Sequence, residues 1–597
     1  MTLALVVAIP LAAGVGIALM GGRLGRRTLG IVTTLALTLS FGAAASMTAT
    51  LRDRPSIAAF VAPWLPIAGA DLALVVDSSM LAVTLAITGV AALIAVYSIS
   101  YLARDRGMQR YFATFALLVA GMLLVVLGAN LALVIAGWEL AGIAAYLLVG
   151  HRRDHAPAAR AAMQLFVVER VGDAALIAGT LLLLVEFHTV DIAQLGSAAI
   201  EHGGNMGALA VLASALILVG ALAKSAQMPL QLWLPDSTEA ATPVSALLQT
   251  VAVTGGVVLL MRLRSVLAPD VLQAAALIGG VTAFGGALVA IAQRDIRRVV
   301  AWSTISQVGL MFVAAGLGAL FAARLQLIAH ALLKAVLVLG AGSVRRANGD
   351  ESDVTHLGGL ARRMPWTAGA FAIGVLALAG IPPAAGFFAI AAIVSAAFSE
   401  SDAVLTALVL LTVAAAAFAA VRLFALIFVA PGVGHRDAHE APPLQDVPLA
   451  VLALGALGFG ALVSAGLPIG SGPTDEAPLW LLFATFAVAL VGAAAAWLGY
   501  RHGPDRAGRV DRALRWAQSD RFGALYAAAA VRPFERLARE LDSAERVNER
   551  AVDGVGSIPM RVGALVRGPY LESSRAQQVL LLGGTVVLLA FWIWSAR

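Results

Sequence analysis

Long apolar stretches separated by short polar loops fill most of this chain. A helix needs about 20 apolar residues to cross the hydrocarbon core of a bilayer, and counting runs of that length predicts about sixteen transmembrane spans. Their approximate bounds are 3–21, 29–48, 76–102, 111–128, 130–150, 162–187, 207–234, 243–263, 272–292, 297–318, 321–344, 366–398, 403–429, 446–466, 479–500 and 575–595. The pattern predicts an all-α polytopic membrane protein.

Arginines concentrate in alternate loops. The arginine-rich loops bear Arg23/Arg26/Arg27, Arg104/Arg106/Arg110, Arg152/Arg153/Arg160, Arg294/Arg297/Arg298 and Arg345/Arg346/Arg362/Arg363, and the segment from Arg501 continues the series. The other loops are acidic or poor in arginine, with Arg262 and Arg264 as an exception. Under the positive-inside rule this predicts a cytoplasmic location for the arginine-rich loops and an N-terminus outside. No basic segment precedes the first span, which predicts a retained anchor and not a cleaved signal peptide.

Two predicted spans are too long and contain a break. The span 207–234 is interrupted at Lys224-Ser-Ala-Gln-Met-Pro229 and the span 366–398 at Gly380-Ile-Pro-Pro383, where proline removes a backbone donor. Paired interrupted helices are typical of transporters built from repeats, in which the irregular backbone lines a buried path. We therefore predict two inverted five-helix repeats. The predicted division is 1–110 (N-terminal helices), 111–265 (first repeat), 266–430 (second repeat) and 431–503 (further helices).

The C-terminal part has a different composition. From Pro504 to about residue 570, arginine and glutamate alternate with leucine, alanine and valine, so the segment is amphipathic and too polar to span. We predict a lateral helix over 504–570, lying on the membrane or on neighbouring subunits. Residues 571–597 form a terminal anchor that ends in an interfacial aromatic cluster.

Composition narrows the class of function. Hydrophobic residues make up 60% of the 597 residues and charged residues 13%, and the mean hydropathy is +0.89. Cysteine is absent, which removes thiol catalysis and cysteine-ligated iron–sulfur clusters, so we expect no redox site in this chain. The net charge of +6 does not indicate nucleic-acid binding, because the arginines lie in loops without interleaved aromatic residues.

Lysine is almost absent. Lys224 and Lys334 are the only two lysines among 41 basic residues, and both lie inside apolar runs. An ammonium group in a low-dielectric place can lose its proton, whereas a guanidinium stays charged. Ionisable groups within a membrane are functional candidates by default. The distribution therefore indicates proton transfer within the membrane.

Three further residues could take part. Glu139, alone in the middle of a span, is either a packing acid or a partner of Lys224, since an opposite charge within about 4–6 Å would hold the lysine protonated. Asp173 follows Arg170 by three residues and is either structural or functional, with Glu169 as an extra acid on the same face. His330 lies one turn from Lys334 on the same helix face, which indicates a proton relay or a bonded core histidine.

Two other signals are weak. Ala223-Lys224-Ser225 lacks the glycine and the preceding strand of a phosphate-binding loop. His151 and His155 are four residues apart, but arginine dominates their segment and no third ligand is near, so we expect a solvated loop and no metal site.

Several motifs, in this order along the chain, resemble the antiporter-like L subunits (mitochondrial subunit 5 type) of respiratory complex I, the NADH:quinone oxidoreductase. The motifs are Trp138-Glu-Leu-Ala-Gly142, Lys224-Ser-Ala-Gln-Met-Pro229, Thr242-Pro-Val-Ser-Ala-Leu-Leu248, Arg294 to Gly309, His330-Ala-Leu-Leu-Lys-Ala335 and Leu378 to Phe388. The resemblance implies a proton-pumping translocase subunit, coupled to quinone reduction, in a bacterial inner membrane. It implies Glu139 and Lys224 as paired residues, Lys334 as the central lysine beside His330, and Asp173 near the first pair.

The same resemblance implies partners and cofactors. The partners are protons, the lipid bilayer and other membrane-arm subunits, which the lateral helix would hold. NADH, FMN, iron–sulfur clusters and quinone would be bound by partner subunits, and this chain would bind no cofactor.

The chain departs from the family at three places. Gln249 and Gln326 stand where histidines are usual, and Ala389-Ile390-Ala391 stand where the family has Ser-Lys-Asp. The second half therefore either releases protons through water and groups from elsewhere, with Glu400 and Asp402 as the nearest acids, or does not conduct. Two alternatives to a complex I subunit stay open. One is the large subunit of a multisubunit cation/proton antiporter, membrane hydrogenase or inorganic-carbon uptake complex, and the other is a non-pumping scaffold.

Overall fold

The computed structural model describes residues 2–152, 154–201, 207–400, 402–432, 438–464 and 479–503. The predicted lateral helix (504–570) and terminal anchor (571–597) lie outside these residues. The described helices are α1 (Thr2–Met20), α2 (Arg26–Ser46), α3 (Thr50–Asp53), α4 (Ser78–Tyr101), α5 (Met108–Leu127), α6 (Leu131–Val149), α7 (Ala156–Phe187), α8 (Ile192–Glu201), α9 (Ala208–Lys224), α10 (Trp233–Asp236), α11 (Thr242–Thr250), α12 (Gly255–Arg262), α13 (Pro269–Ala292), α14 (Ile296–Gly316), α15 (Leu320–Ala347), α16 (Pro365–Ala379), α17 (Ala385–Ser399), α18 (Ala403–Phe424), α19 (Pro443–Ser464) and α20 (Leu479–Tyr500).

The helical membrane class is confirmed. Twelve stretches of the described residues are helical, long and apolar enough to cross a membrane, and they correspond to twelve of the predicted spans. Three more predicted spans correspond to α7, which carries several charges, and to the two broken helices, whose apolar parts α9, α16 and α17 are shorter. The last predicted span, 575–595, lies outside the described residues. The division into inverted repeats stays a prediction.

Both predicted breaks are present. The first helix ends at Lys224, and Ala226 beyond it has a positive φ of 49°. The indole of Trp233 donates a hydrogen bond of 2.9 Å to the carbonyl of Ala223, so α10 folds back against the end of α9. The second break lies between α16 and α17, where Gly380 has a φ of 67°. Proline and positive φ together explain why neither helix continues.

A third interruption was not predicted. The expected continuous span 243–263 consists of α11 and α12, joined by a short 3₁₀ turn over Ala252–Thr254. The hydroxyl of Ser225 donates to the carbonyl of Val253 at 2.7 Å and accepts from the amide of Gly256 at 3.1 Å. The backbone groups freed by one break are thus partly satisfied by the other. No proline or polar run marks this interruption in the sequence.

A two-stranded antiparallel sheet is the other unpredicted element. Strand β1 (Ser56–Ala62) pairs with β2 (Leu72–Asp77), with Ser56 opposite Asp77. Asp77 then caps α4 by accepting a 2.7 Å hydrogen bond from the amide of Met80. This hairpin lies between spans and does not change the helical class.

Tight helix packing in the first half depends on glycine. A Cβ atom on Gly137 of α6 would lie 2.5 Å from the carbonyl oxygen of Gly121 on α5, and one on Gly121 would lie 2.6 Å from the carbonyl oxygen of Gly137. Real Cβ atoms do not approach that closely, so only glycine permits this spacing. The contact fixes α6, which carries Trp138 and Glu139, against its neighbour.

We therefore expect Gly137→Ala to lower the thermal stability of the protein by about 1–3 kcal/mol, because α5 and α6 must separate. Gly16→Ala on α1 is the matched control, since a Cβ atom there would meet nothing within 4 Å. Thermal unfolding of the purified protein in detergent measures both. Equal melting temperatures for the two variants would contradict the packing argument.

Candidate functional site

Lys224 lies at the last turn of α9, at the first helix break. Its ammonium is 3.2 Å from a carboxylate oxygen of Glu169 on α7, and the two side chains are only 1% and 2% exposed. It also donates a 3.3 Å hydrogen bond to the carbonyl of Trp138 and lies 5.3 Å from the centre of that indole ring. A buried ammonium therefore has a carboxylate, a carbonyl and an aromatic face around it.

Glu139, the predicted partner of Lys224, is bonded to Arg170 in this structure. Glu139 accepts a hydrogen bond from Arg170, and that guanidinium also lies 2.7 Å from Asp173. Among the described residues, Glu169 is the carboxylate within 4 Å of Lys224. Arg170 therefore binds Glu139, and Lys224 pairs with Glu169, which the sequence indicated only as an additional acid. Glu139, Glu169 and Asp173 are all candidate partners by sequence, and only helix packing decides which one faces the lysine.

Asp173 belongs to the same cluster. Its second carboxylate oxygen accepts a 2.6 Å hydrogen bond from the indole of Trp138, whose carbonyl in turn accepts from Lys224. The cluster therefore contains three acids, one lysine and one arginine, connected through Trp138. The sequence analysis did not single out Trp138, although its position directly before Glu139 was a usable signal.

Gly142 gives the charged groups the space to meet. A Cβ atom at this position would lie 2.8 Å from a carboxylate oxygen of Glu169, 3.1 Å from the ammonium of Lys224 and 3.0 Å from the guanidinium of Arg170. Any side chain here would push the ion pairs apart. The sequence analysis quoted this glycine only as part of a motif.

The second lysine has a different environment. Lys334, in the middle of α15, is fully buried and donates to the hydroxyl of Ser303 at 2.5 Å and to the carbonyl of Val300 at 3.3 Å, both on α14. Within the described part of the chain no carboxylate lies within 4 Å of its ammonium. A charge at Lys334 is therefore balanced only by neutral oxygens, which makes the neutral amine easier to reach.

His330 is buried on the same helix but bonds elsewhere. A ring nitrogen of His330 is 2.9 Å from the carbonyl of Gln249 on α11, and the side-chain carbonyl of Gln249 accepts from Thr304 at 2.9 Å. The helix face that His330 shares with Lys334 is confirmed, but the two side chains do not bond each other. The other ring nitrogen of His330 has no protein partner.

A small cavity with a largely apolar lining adjoins this second cluster. Its volume is about 20 Å³, enough for about one water molecule. Its lining reaches from Gln249 and Val300, which bond His330 and Lys334, to Arg297 and Arg345. The two arginines belong to the arginine-rich segments, so the cavity lies between that face and the surroundings of Lys334.

The loop with two histidines differs in part from the expectation. His151 is buried against Tyr111, with ring centres 5.5 Å apart, so the segment is not fully solvated. Burial and the nearby charge of Arg110 lower the pKa of His151 to about 4. The described residues contain no group of three side chains placed to hold a metal ion.

Two family models match this chain. The family described as "NADH:quinone oxidoreductase/Mrp antiporter, TM" matches residues 128–416, and "NADH-Ubiquinone oxidoreductase (complex I), chain 5 N-terminus" matches residues 64–112. The first match contains both lysine clusters.

Relatives and solved structures agree with these matches. The chain is 38% identical to NADH-quinone oxidoreductase subunit L of Mycobacterium tuberculosis over 77% of this chain and 75% of that protein. It is 33% identical to NAD(P)H-quinone oxidoreductase chain 5 of Picosynechococcus over 86% and 85% of the two chains. A chain of the Mrp complex from Dietzia has a TM-score of 0.75 at 26% identity, covering 100% of this chain and 63% of that one. A chain of the archaeal membrane-bound sulfane sulfur reductase has a TM-score of 0.70 at 20% identity, covering 83% and 98%, and shows the fold alone.

The ion pair of Lys224 and Glu169 leads to a prediction about the free energy of unfolding. Glu169→Gln should destabilise the protein only by about 1–3 kcal/mol, because Lys224 can lose its proton when its partner is gone. In a Lys224→Arg background the same change should cost about 3–5 kcal/mol, since a guanidinium cannot be neutralised. Melting temperatures of the four proteins in this double-mutant cycle measure the difference. Equal costs in both backgrounds would show that Lys224 does not release its proton.

Proposed function

This chain belongs to the antiporter-like family of NADH:quinone oxidoreductase and Mrp membrane subunits, and from that membership we propose that it transfers protons across a membrane as the L-type subunit of an NADH:quinone oxidoreductase. The observation that carries the proposal is the contact between Lys224 and Glu169, a buried ion pair between the end of a broken helix and a continuous one. Such a pair can change its proton occupancy when the two helices move.

The first cluster supplies the switch. While Glu169 lies beside Lys224, the carboxylate keeps the ammonium charged. If the pair separates, Lys224 is left with the Trp138 carbonyl and gives its proton to a neighbouring water, becoming a neutral amine. The charge of Arg170 acts on both Glu139 and Asp173, because both carboxylates contact its guanidinium. Each pKa unit of change between the two arrangements corresponds to about 1.4 kcal/mol, so a change of a few units exceeds the cost of moving one charge through 100 mV, about 2.3 kcal/mol.

The third helix interruption connects the two clusters. Ser225, next to Lys224, bonds Val253 and Gly256 on one side of the α11–α12 junction, and Gln249 on the other side bonds His330. A movement at the first break is therefore transmitted through a short irregular segment to the second lysine. Lys334 accepts a proton as a neutral amine and holds it with Ser303 until it is released. The cavity between Gln249 and Arg345 supports hydration of this part from the arginine-rich face.

Energy for these movements would come from quinone reduction in other subunits. This chain has no cysteine, and the partners would hold NADH, FMN, iron–sulfur clusters and quinone. We place the arginine-rich loops in the cytoplasm of a bacterial cell, with the N-terminus outside the inner membrane, from the alternation of arginine along the chain.

A partner subunit is also supported by the exposed side of the first cluster. The ion pair of Glu139 and Arg170 lies in the middle of α6 and α7 with side chains 26% and 30% exposed. Met163 and Val167 on α7 and Ile143 on α6 are exposed apolar neighbours along these helices. A partly exposed ion pair facing lipid is costly, so a membrane subunit is the better cover for this face.

A second candidate is a subunit of a cation/proton antiporter. The likeness to a chain of the Mrp complex from Dietzia over the whole of this chain favours it. A purified complex that oxidises NADH with quinone supports the first proposal, whereas a complex without that activity that exchanges Na⁺ for protons supports the second.

Lys224→Arg should keep the charge and the contact with Glu169 but lower the number of protons pumped per NADH oxidised severalfold, because guanidinium holds its proton. Proton uptake and NADH oxidation measured together in reconstituted vesicles give this ratio. An unchanged ratio would exclude proton release by Lys224.

Glu139→Gln should weaken retention of this chain in its complex, because Arg170 then loses one of its two carboxylate contacts and presents more charge to the partner face. Asp105→Asn is the matched control, since Asp105 also pairs with an arginine, Arg152, but in a loop. Native gels of the membrane complex compare the two variants. Equal retention would remove Glu139 from the interface.

A further inference from the structure

The second broken helix offers no polar way out. Ala389, Ile390 and Ala391 of α17 are all buried, and Ile390 is only 1% exposed. Leu325 and Ile328 of α15 and Phe459 of α19 pack with Ala389 into one apolar cluster. A proton crossing here would meet only hydrocarbon, which holds neither water nor charge.

The acids that the sequence offered beyond this helix have other positions. Asp402 caps α18 by accepting hydrogen bonds from the amides of Val404 and Leu405 at 2.9 and 3.0 Å. Glu400 is exposed at the end of α17. Neither lies within the apolar cluster, so neither places a polar group inside it.

Polar side chains line a different part of the second half. Gln326 on α15 donates a 2.6 Å hydrogen bond to Gln307 on α14, and both side chains are buried. The other amide atoms of this pair, Gln326 Oε1 and Gln307 Nε2, have no protein partner, and neither has the hydroxyl of Ser306. A buried polar atom without a partner costs about 1–3 kcal/mol, so such atoms are almost always bonded to water. The glutamine pair is therefore a place that holds water.

This polar region lies outward of Lys334 along α15. The opposite end of the helix, at Arg345 and Arg346, contacts Tyr101 at the end of α4, on the arginine-rich side. Gln326 is two turns from Lys334 in the other direction, or about 12 Å at 1.5 Å per residue. Water between these two side chains would continue from the ammonium toward the face opposite the arginine-rich loops.

Arg324 marks the outer end of α15. This arginine is buried, donates to the hydroxyl of Ser79 at the start of α4 at 2.5 Å, and has an unpartnered Nε. The charge of Asp77, just before α4, acts on Arg324 and partly offsets its field. A fixed guanidinium disfavours any cation beside it, a proton included. Gln326 faces α14 and Arg324 faces α4, so together they border α15 on two sides.

We propose that protons leave Lys334 along the α14 side of α15, through water held by Gln307 and Gln326, and emerge at the face opposite the arginine-rich loops, away from Arg324, instead of through α17. The inference rests on the proposed function, because it needs a proton on Lys334. In this step the ammonium gives one proton to water and becomes an amine, and neighbouring waters pass the charge outward. The amides and the guanidinium keep their protonation states.

The absence of native cysteine allows a direct test of where water enters. Single variants Gln307→Cys and Gln326→Cys lie on the proposed route, and Ala385→Cys and Ala389→Cys lie in the apolar cluster. A membrane-impermeant methanethiosulfonate reagent is applied to the face opposite the arginine-rich loops, with the complex in its membrane. Labelling is read from the mass of this chain. We expect the route variants to react about tenfold faster, since a thiolate forms only where water reaches it.

Faster labelling at Ala385→Cys or Ala389→Cys would overturn the proposed route and restore α17 as the exit. No labelling at Gln326→Cys would overturn it as well, because the glutamine pair would then be dry. This readout does not depend on pumping, so it separates the route from the proposed function.

Pumping measurements complete the test. Gln326→Leu and Gln307→Leu keep the side-chain volume nearly unchanged but cannot hold water, and should lower protons pumped per NADH at least severalfold. Gln445→Leu is the matched control, a buried glutamine on α19 that bonds Ser100 away from the route. If Lys334→Ala stops pumping while Gln326→Leu and Gln307→Leu do not, the route alone is wrong. If Lys334→Ala leaves pumping unchanged, the proposed role of this half is wrong.

Discussion

The cost of a charge inside a membrane governs this structure. Two ammonium groups lie in a helical bundle with an apolar exterior, and each needs oxygen atoms in place of water. Lys224 has a carboxylate as well as a carbonyl, whereas Lys334 has a hydroxyl and a carbonyl. The first site thus gives its lysine a charged oxygen and the second gives its lysine only neutral oxygens, and the proposed proton transfer rests on this difference.

Broken helices also lower the cost of polar and charged groups inside the membrane, because they leave backbone groups free to bond side chains. A continuous helix bonds its backbone groups internally, so it offers a neighbouring charge only the second lone pair of a carbonyl, as at Trp138 and Val300. At the breaks, carbonyls and amides turn outward and bond Ser225 and His330. The unpredicted junction between α11 and α12 lies between the two lysines and contacts the surroundings of both. In the proposed mechanism this junction is the path of backbone by which movement at one lysine reaches the other.

The glutamines and the apolar α17 change how the second half can work. Histidine and lysine carry a proton by changing charge, but an amide can only orient water. Among the described residues, the polar groups outward of Lys334 include two glutamines, the hydroxyl of Ser306 and one arginine, and packed hydrocarbon stands where the resemblance implies an acid and a base. A half built in this way can pass protons only where water is held, so the position of unpartnered amide atoms matters more than the titratable residues.

The sequence by itself determined the helical membrane class, most of the spans, both predicted breaks and the two buried lysines. These follow from local properties: the length of apolar runs, the chemistry of proline, and the scarcity of lysine. It did not determine the β-hairpin or the α11–α12 junction, because the prolines and glycine at 63–69 and the Gly255-Gly256 pair are turn signals that do not by themselves specify strand pairing or a break within an apolar run. Which carboxylate faces Lys224 was decided by tertiary structure alone. Glu139, Glu169 and Asp173 are equivalent as acids, but the rotation of α7 against α6 and the space left by Gly142 bring Glu169 to the lysine and give Glu139 to Arg170.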